Sequence, residues 1–100
     1  MNGMNFEPGR IVFSRKGRDK GRYFVVLYLV DDHYVLIADG CLRKVEHPKK
    51  KKVIHLEAKP QLLEGVRQKL AEGKTIFDSE VRNLLEAEGY TDSLPPRKEG

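Results

Sequence analysis

Arg10-Ile11-Val12-Phe13-Ser14, then Arg15-Lys16-Gly17-Arg18-Asp19-Lys20-Gly21-Arg22, then Tyr23-Phe24-Val25-Val26-Leu27-Tyr28-Leu29-Val30: the fold turns on these three consecutive pieces. The outer two are rich in β-branched and aromatic residues, which predicts strands over about residues 10–14 and 22–30. Between them, residues 14–22 carry five basic side chains, Arg15, Lys16, Arg18, Lys20 and Arg22, and two glycines bracket Arg18-Asp19-Lys20. Glycine tolerates positive φ and lets a partner approach the backbone closely. A tight cationic loop of this kind, set between two strands, suits a sugar–phosphate backbone.

The second strand is apolar on both faces, so it should lie centrally or serve two sides of a barrel. Asp31-Asp32-His33 reads as a turn, and Tyr34-Val35-Leu36-Ile37-Ala38 as a third strand. Asp39-Gly40 signals a hairpin, which predicts a short fourth strand over residues 41–45. The basic segment His47-Pro48-Lys49-Lys50-Lys51-Lys52 follows, and then a fifth strand, Val53-Ile54-His55-Leu56. Five short strands in under sixty residues cannot build a large sandwich, and closing into a small barrel removes exposed edges. The expected fold class is mainly β: a five-stranded SH3-like barrel over residues 9–57, followed by one or two short C-terminal α-helices.

Beyond residue 57 the apolar spacing changes from two to helical. Pro60 suits a first helical turn, Leu62, Leu63, Val66 and Leu70 share one face, and Gly73 ends the helix. Asp78 is the expected N-cap of a second helix with the stripe Val81, Leu84 and Leu85, stopped by Gly89. Residues 1–8 are expected to be a flexible leader, 58–89 a helical extension and 90–100 a flexible tail with Pro95-Pro96.

The chain has 100 residues and a net charge of +4. Residues 1–57 hold twelve Lys/Arg against seven Asp/Glu, so the basic excess sits entirely in the first part. That asymmetry favours a polyanion for the barrel and protein contact or self-docking for the helices. The single cysteine, Cys41, permits no intrachain disulfide. The N-terminal residues lack the basic and apolar regions of a signal peptide, and the apolar run 23–30 is too short to span a bilayer. A cytoplasmic protein with no membrane partner is therefore expected.

The residues then form a family pattern. Gly9-Arg10-Ile11-Val12-Phe13-Ser14, Gly17-Arg18-Asp19-Lys20-Gly21-Arg22 and Val25-Val26 resemble the KOW motif of ribosomal proteins and transcription–translation factors. Val30-Asp31-Asp32, Tyr34-Val35-Leu36-Ile37, Asp39-Gly40, Ile54-His55-Leu56-Glu57 and Asp78-Ser79-Glu80-Val81-Arg82-Asn83-Leu84-Leu85 are similar to the large-subunit ribosomal protein fourteen family of archaeal/eukaryotic type and its short bacterial relatives. Many KOW motifs place a further glycine where this chain has Tyr23-Phe24, a departure shared by the ribosomal subgroup. The resemblance implies a barrel that binds ribosomal RNA, with Arg15, Lys16, Gly17, Arg18, Lys20, Gly21 and Arg22 at the RNA surface.

Lysine and arginine neutralise phosphates, and arginine also bonds two oxygens at once or stacks on a base. The lysine run Lys49, Lys50, Lys51 and Lys52 is a second candidate RNA contact, with Arg43 and Lys44 as a bridge between it and the loop. The bland alternative is a solvated surface in each case. Tyr23, Phe24, Tyr28 and Tyr34 could stack on unpaired bases, Tyr23 being the best placed, although strand aromatics are usually packing residues. Asp19 is expected to fix the loop or orient Arg18. Cys41, His47 and His55 match no zinc spacing, so no metal and no cofactor are expected. Asp31, Asp32 and Asp39 fall in turns, no phosphate-binding loop is present, and no nucleophile–base pair is visible, so no enzyme is expected. The alternative function is a protein-interaction module of the transcription–translation machinery. Neighbouring ribosomal proteins could be met through the C-terminal helices.

Overall fold

Strand β2 (Tyr23–Leu29) sits at the centre of a five-stranded antiparallel sheet, as its two-sided apolar pattern requires. A computed structural model describes residues 6–90; most of the expected leader and nearly all of the expected tail lie outside the described residues. Strand β1 (Arg10–Ser14) pairs with β2, placing Val12 opposite Phe24, and β3 (Tyr34–Ala38) pairs on the other side, placing Val26 opposite Ile37. Strand β4 (Lys49–Lys52) extends the sheet beyond β3, and β5 (Leu56–Leu62) extends it beyond β1, giving the order β4-β3-β2-β1-β5.

The two edge strands are joined by one 3-10 turn, Val53–His55. Four strand spacings would separate the edges of a flat sheet by about 19 Å. The four Cα steps from Lys52 to Leu56 span at most about 14 Å. The sheet must therefore curl. It does so in the SH3-like manner, with no pairing between β4 and β5, so the barrel is not closed.

Curling creates two cores on opposite faces of β1 and β2. Val12, Phe24, Val26, Val35, Ile37 and Leu56 fill the inside of the curl. Ile11 and Val25 point outward, where Leu63, Val66, Ile76, Val81 and Leu85 cover them. The covering residues come largely from α1 (Glu64–Ala71) and α2 (Asp78–Ala87), so the helices dock on the barrel through their apolar stripes. No helix among the described residues is long and apolar enough to cross a membrane.

Four expectations need correction. Residues 41–45 form no strand. The Asp39 carboxylate accepts the Cys41 and Arg43 amides, both at 2.9 Å, and the Arg43 carbonyl accepts the Asp39 and Gly40 amides, so the segment closes on itself as a turn. The fourth strand is the lysine run itself. Backbone pairing with β3 needs no apolar side chain at a sheet edge, and lysine stems can lie along apolar surface while the ammonium reaches out. The fifth strand begins at Leu56 and runs through Pro60, so a boundary at residue 57 falls inside it. Proline is tolerated there because β5 pairs on one side only. Finally, α1 starts at Glu64, and Phe77 occupies the N-cap of α2. The Asp78 carboxylate instead accepts the Val45 amide at 2.7 Å, tying α2 to the turn after β3. Arg82 Nη1 reinforces that joint by donating to the Gly40 carbonyl at 2.8 Å.

Candidate nucleic-acid interface

The β1–β2 connection is narrow at its base. Ser14 N–H donates to the Arg22 carbonyl at 2.9 Å, and Gly21 N–H donates back to the Ser14 carbonyl at 2.8 Å. Two internal turns follow, Lys20 N–H to the Gly17 carbonyl and Arg22 N–H to the Asp19 carbonyl. Gly21 adopts φ +88°, where a Cβ would be strained, and this lets the chain re-enter β2 immediately after the turn. The result projects Arg15, Lys16, Arg18 and Lys20 into solvent, while Arg22 is half-buried at the start of β2.

Three side chains hold the loop from within. Ser14, fully buried, donates from Oγ to the Lys16 carbonyl at 3.2 Å. Lys51, only 7% exposed, reaches from β4 and donates from Nζ to the same carbonyl at 2.7 Å. Asp19, 3% exposed, turns inward and accepts a two-pronged contact from Arg43, Nε to Oδ2 at 3.1 Å and Nη2 to Oδ1 at 3.2 Å. Asp19 therefore does not orient Arg18. Burial pushes the Lys51 ammonium below its ordinary pKa; Asp19 opposes that shift, while Lys49 and Arg43 add to it.

The lysine run is divided by strand alternation. Lys49 and Lys51 lie opposite Ile37 and Val35, on the inner face. Lys50 and Lys52 are exposed on the outer face, with their ammonium groups 4.7 and 6.0 Å from the centre of the Tyr34 ring. Lys44 is exposed in the turn beside Arg43. The basic residues singled out from the sequence thus lie in distinct places. Arg15, Lys16, Arg18 and Lys20 project from the loop. Arg43 and Lys51 lie beneath it, engaged with its acceptors. Lys50 and Lys52 face outward on β4.

Tyr23 is half-buried, with its ring packed on Phe13 and Tyr90 at centroid separations of 5.0 and 4.6 Å. The Tyr90 hydroxyl is tied to Gln61 Oε1 at 2.6 Å, which fixes the stack to β5. Phe24 is core. Tyr28, 51% exposed, stands with Leu29 and Val30 at the far end of β2 and away from the core clusters. Among the described residues no group of three or more His, Cys, Asp or Glu is placed to hold a metal ion.

Sequence reasoning missed the roles of Ser14, Arg43 and Lys51 in shaping the loop; it expected Asp19 to fix the loop but not that Arg43 would be its partner. A serine closing an apolar strand and a lone aspartate in a basic loop were the available signals.

Fold and site define a small β domain, backed by two helices, that holds a cationic loop by backbone and buried side-chain hydrogen bonds at one end of a curled sheet. No family model matches the chain. Curated relatives do. The large ribosomal subunit protein eL14 of Saccharolobus islandicus strain M.14.25 is 32% identical over 91 residues, covering 91% of this chain and 88% of the relative. That of Sulfolobus acidocaldarius is 28% identical over 88 residues, covering 88% and 84%. The chain belongs to the eL14 family of ribosomal proteins, which are not enzymes.

Proposed function

We propose that this protein is a component of the large ribosomal subunit, or a factor associated with it, that docks on ribosomal RNA through the loop at residues 15–22. The observation that carries the reading is the loop itself. Four exposed cations, Arg15, Lys16, Arg18 and Lys20, stand on a backbone held by paired strands and buried side chains. Family membership over nine-tenths of the chain supplies the RNA context. A pre-shaped loop loses little ordering entropy when it meets phosphates, so its charges act together. Lys44, Lys50 and Lys52 add a second, outward-facing set of cations. Exposed Tyr28, Leu29, Val30 and Phe77 suit contact with a neighbouring ribosomal protein, and the reading places the protein in the cytoplasm with the ribosome.

The test is sedimentation of the tagged protein through a sucrose gradient at low and high salt. Cosedimentation with large subunits at both salts supports a resident component. Cosedimentation at low salt only supports an associated factor. A protein that stays at the top in both defeats the ribosomal reading.

A further inference from the structure

Charge counting treats every Lys and Arg near the loop as an RNA contact and Asp19 as a charge that detracts from binding. The geometry sets Arg43 and Lys51 apart from the exposed cations and turns Asp19 inward. Asp19 is buried and holds Arg43 in a two-pronged contact across 24 residues of sequence. Arg43 is fixed in turn by the segment around it, because its amide is held by the Asp39 carboxylate and its carbonyl by the Asp39 and Gly40 amides. Lys51 spends its ammonium on the Lys16 carbonyl and is nearly inaccessible. A Cβ on Gly17 would come within 3.0 Å of that ammonium, so Lys51 sits tightly beneath the loop.

We propose that Asp19, Arg43 and Lys51 are positioning residues for RNA binding: they set the shape of the cationic loop and do not themselves meet phosphate. The inference rests on the RNA-binding reading above and goes further, because it assigns an acidic residue a supporting part in binding an anion. The reason is geometric. Phosphates along a strand sit at fixed spacing, so cations act together only when their Cα atoms hold still. Removing the Asp19 charge releases Arg43 and one side of the loop. Removing Lys51 releases the Lys16 carbonyl at the other.

The experiment compares binding of the full chain to large-subunit ribosomal RNA transcribed in vitro, by fluorescence anisotropy over a range of salt. The variants are Asp19→Asn, Lys51→Met and a triple Arg15→Ala/Arg18→Ala/Lys20→Ala, each with a thermal melt to confirm folding. Asp19→Asn makes the protein more positive, so charge alone predicts tighter binding. Positioning predicts binding weakened about fivefold or more, with a shallower salt slope, since each lost phosphate contact removes about 0.7 to 0.9 from it. Lys51→Met keeps most of the buried stem. As a lost contact it would lower the slope by at most about 0.9, whereas a misplaced loop lowers it by more than about 1. Unchanged or tighter binding by folded Asp19→Asn overturns the proposal. If that variant does not fold, Lys51→Met decides alone, and a slope loss of 0.9 or less overturns it. Should the triple variant bind as well as wild type, the RNA-binding reading itself fails, and with it this proposal.

Discussion

Replacing Leu85 with Ala tests whether the helices and the curled sheet form one cooperative unit. Leu85 is 4% exposed and sits in the cluster that includes Ile11 of β1, Val25 of β2 and Val66 of α1. The change removes three carbons, which costs about 2.4 kcal/mol at roughly 0.8 kcal/mol per buried methylene. The cavity left between helix and sheet adds to that, and buried Leu→Ala changes as a class cost about 2–5 kcal/mol. An expected loss of about 3 kcal/mol lowers the midpoint of a domain this size by about 12–24 °C. The assay is thermal and urea unfolding followed by two signals, far-ultraviolet circular dichroism for the helices and the near-ultraviolet tyrosine signal for the sheet. Tyr34 suits the second, because it lies on β3 with its ring beside Lys50 and Lys52 of β4. Both signals should move together to the lower midpoint. If the helical signal disappears early while the tyrosine signal keeps the wild-type midpoint, the helices are an appendage and the shared core is not a unit of stability.

Three further outcomes follow from the geometry. Lys51 is held below its ordinary pKa of 10.5 by burial, so near that pH the unfolded chain binds more protons than the folded one and stability rises with pH; Lys51→Met should remove this rise in urea titrations carried toward pH 10.5. Asp31, by contrast, is held below 3.8, chiefly by the His33 amide and with help from the Tyr34 amide, so it contributes stability above 3.8 that is lost as pH falls through its folded value. Asp31→Asn should flatten the acid limb of the stability profile. Gly21→Ala should cost only the left-handed backbone penalty of about 1–2 kcal/mol, because nothing lies near its Cβ position. Gly40→Ala at φ +77° should cost clearly more in denaturation midpoint, since its Cβ would strike the Asp78 carbonyl and displace α2.

The first three strands were legible in the sequence, whereas the apolar run Val53-Ile54-His55-Leu56 is mostly a 3-10 turn, and elements held by side-chain hydrogen bonds or backbone pairing alone were not legible. β1 and β3 fall where expected, and β2 within a residue at each end, because alternation and turn residues agree there. β4 was missed because four lysines carry no hydrophobic pattern; its register comes entirely from β3. Asp39-Gly40 suggested a tight hairpin, yet the Asp39 side chain organises a wider turn. Asp78 resembles a helix cap in every local respect, but its carboxylate serves Val45, 33 residues away. The site divides in the same way. The loop and its charges could be read directly. Which cations are already engaged depended on contacts across 24 and 35 residues, Arg43 to Asp19 and Lys51 to Lys16, which no local pattern encodes.

Among the described residues, the open barrel leaves two strand edges without partners, and their composition bears on whether copies of the chain pair with one another. A bare edge is a template for another chain of the same kind, and stacking of such edges leads to fibres. Here one edge is the lysine strand, whose Lys50 and Lys52 are exposed, so a second copy would bring like charges together. The other edge contains Pro60, which has no amide hydrogen to offer a new neighbour. The two edges are thereby guarded by different means, one by charge and the other by a missing donor.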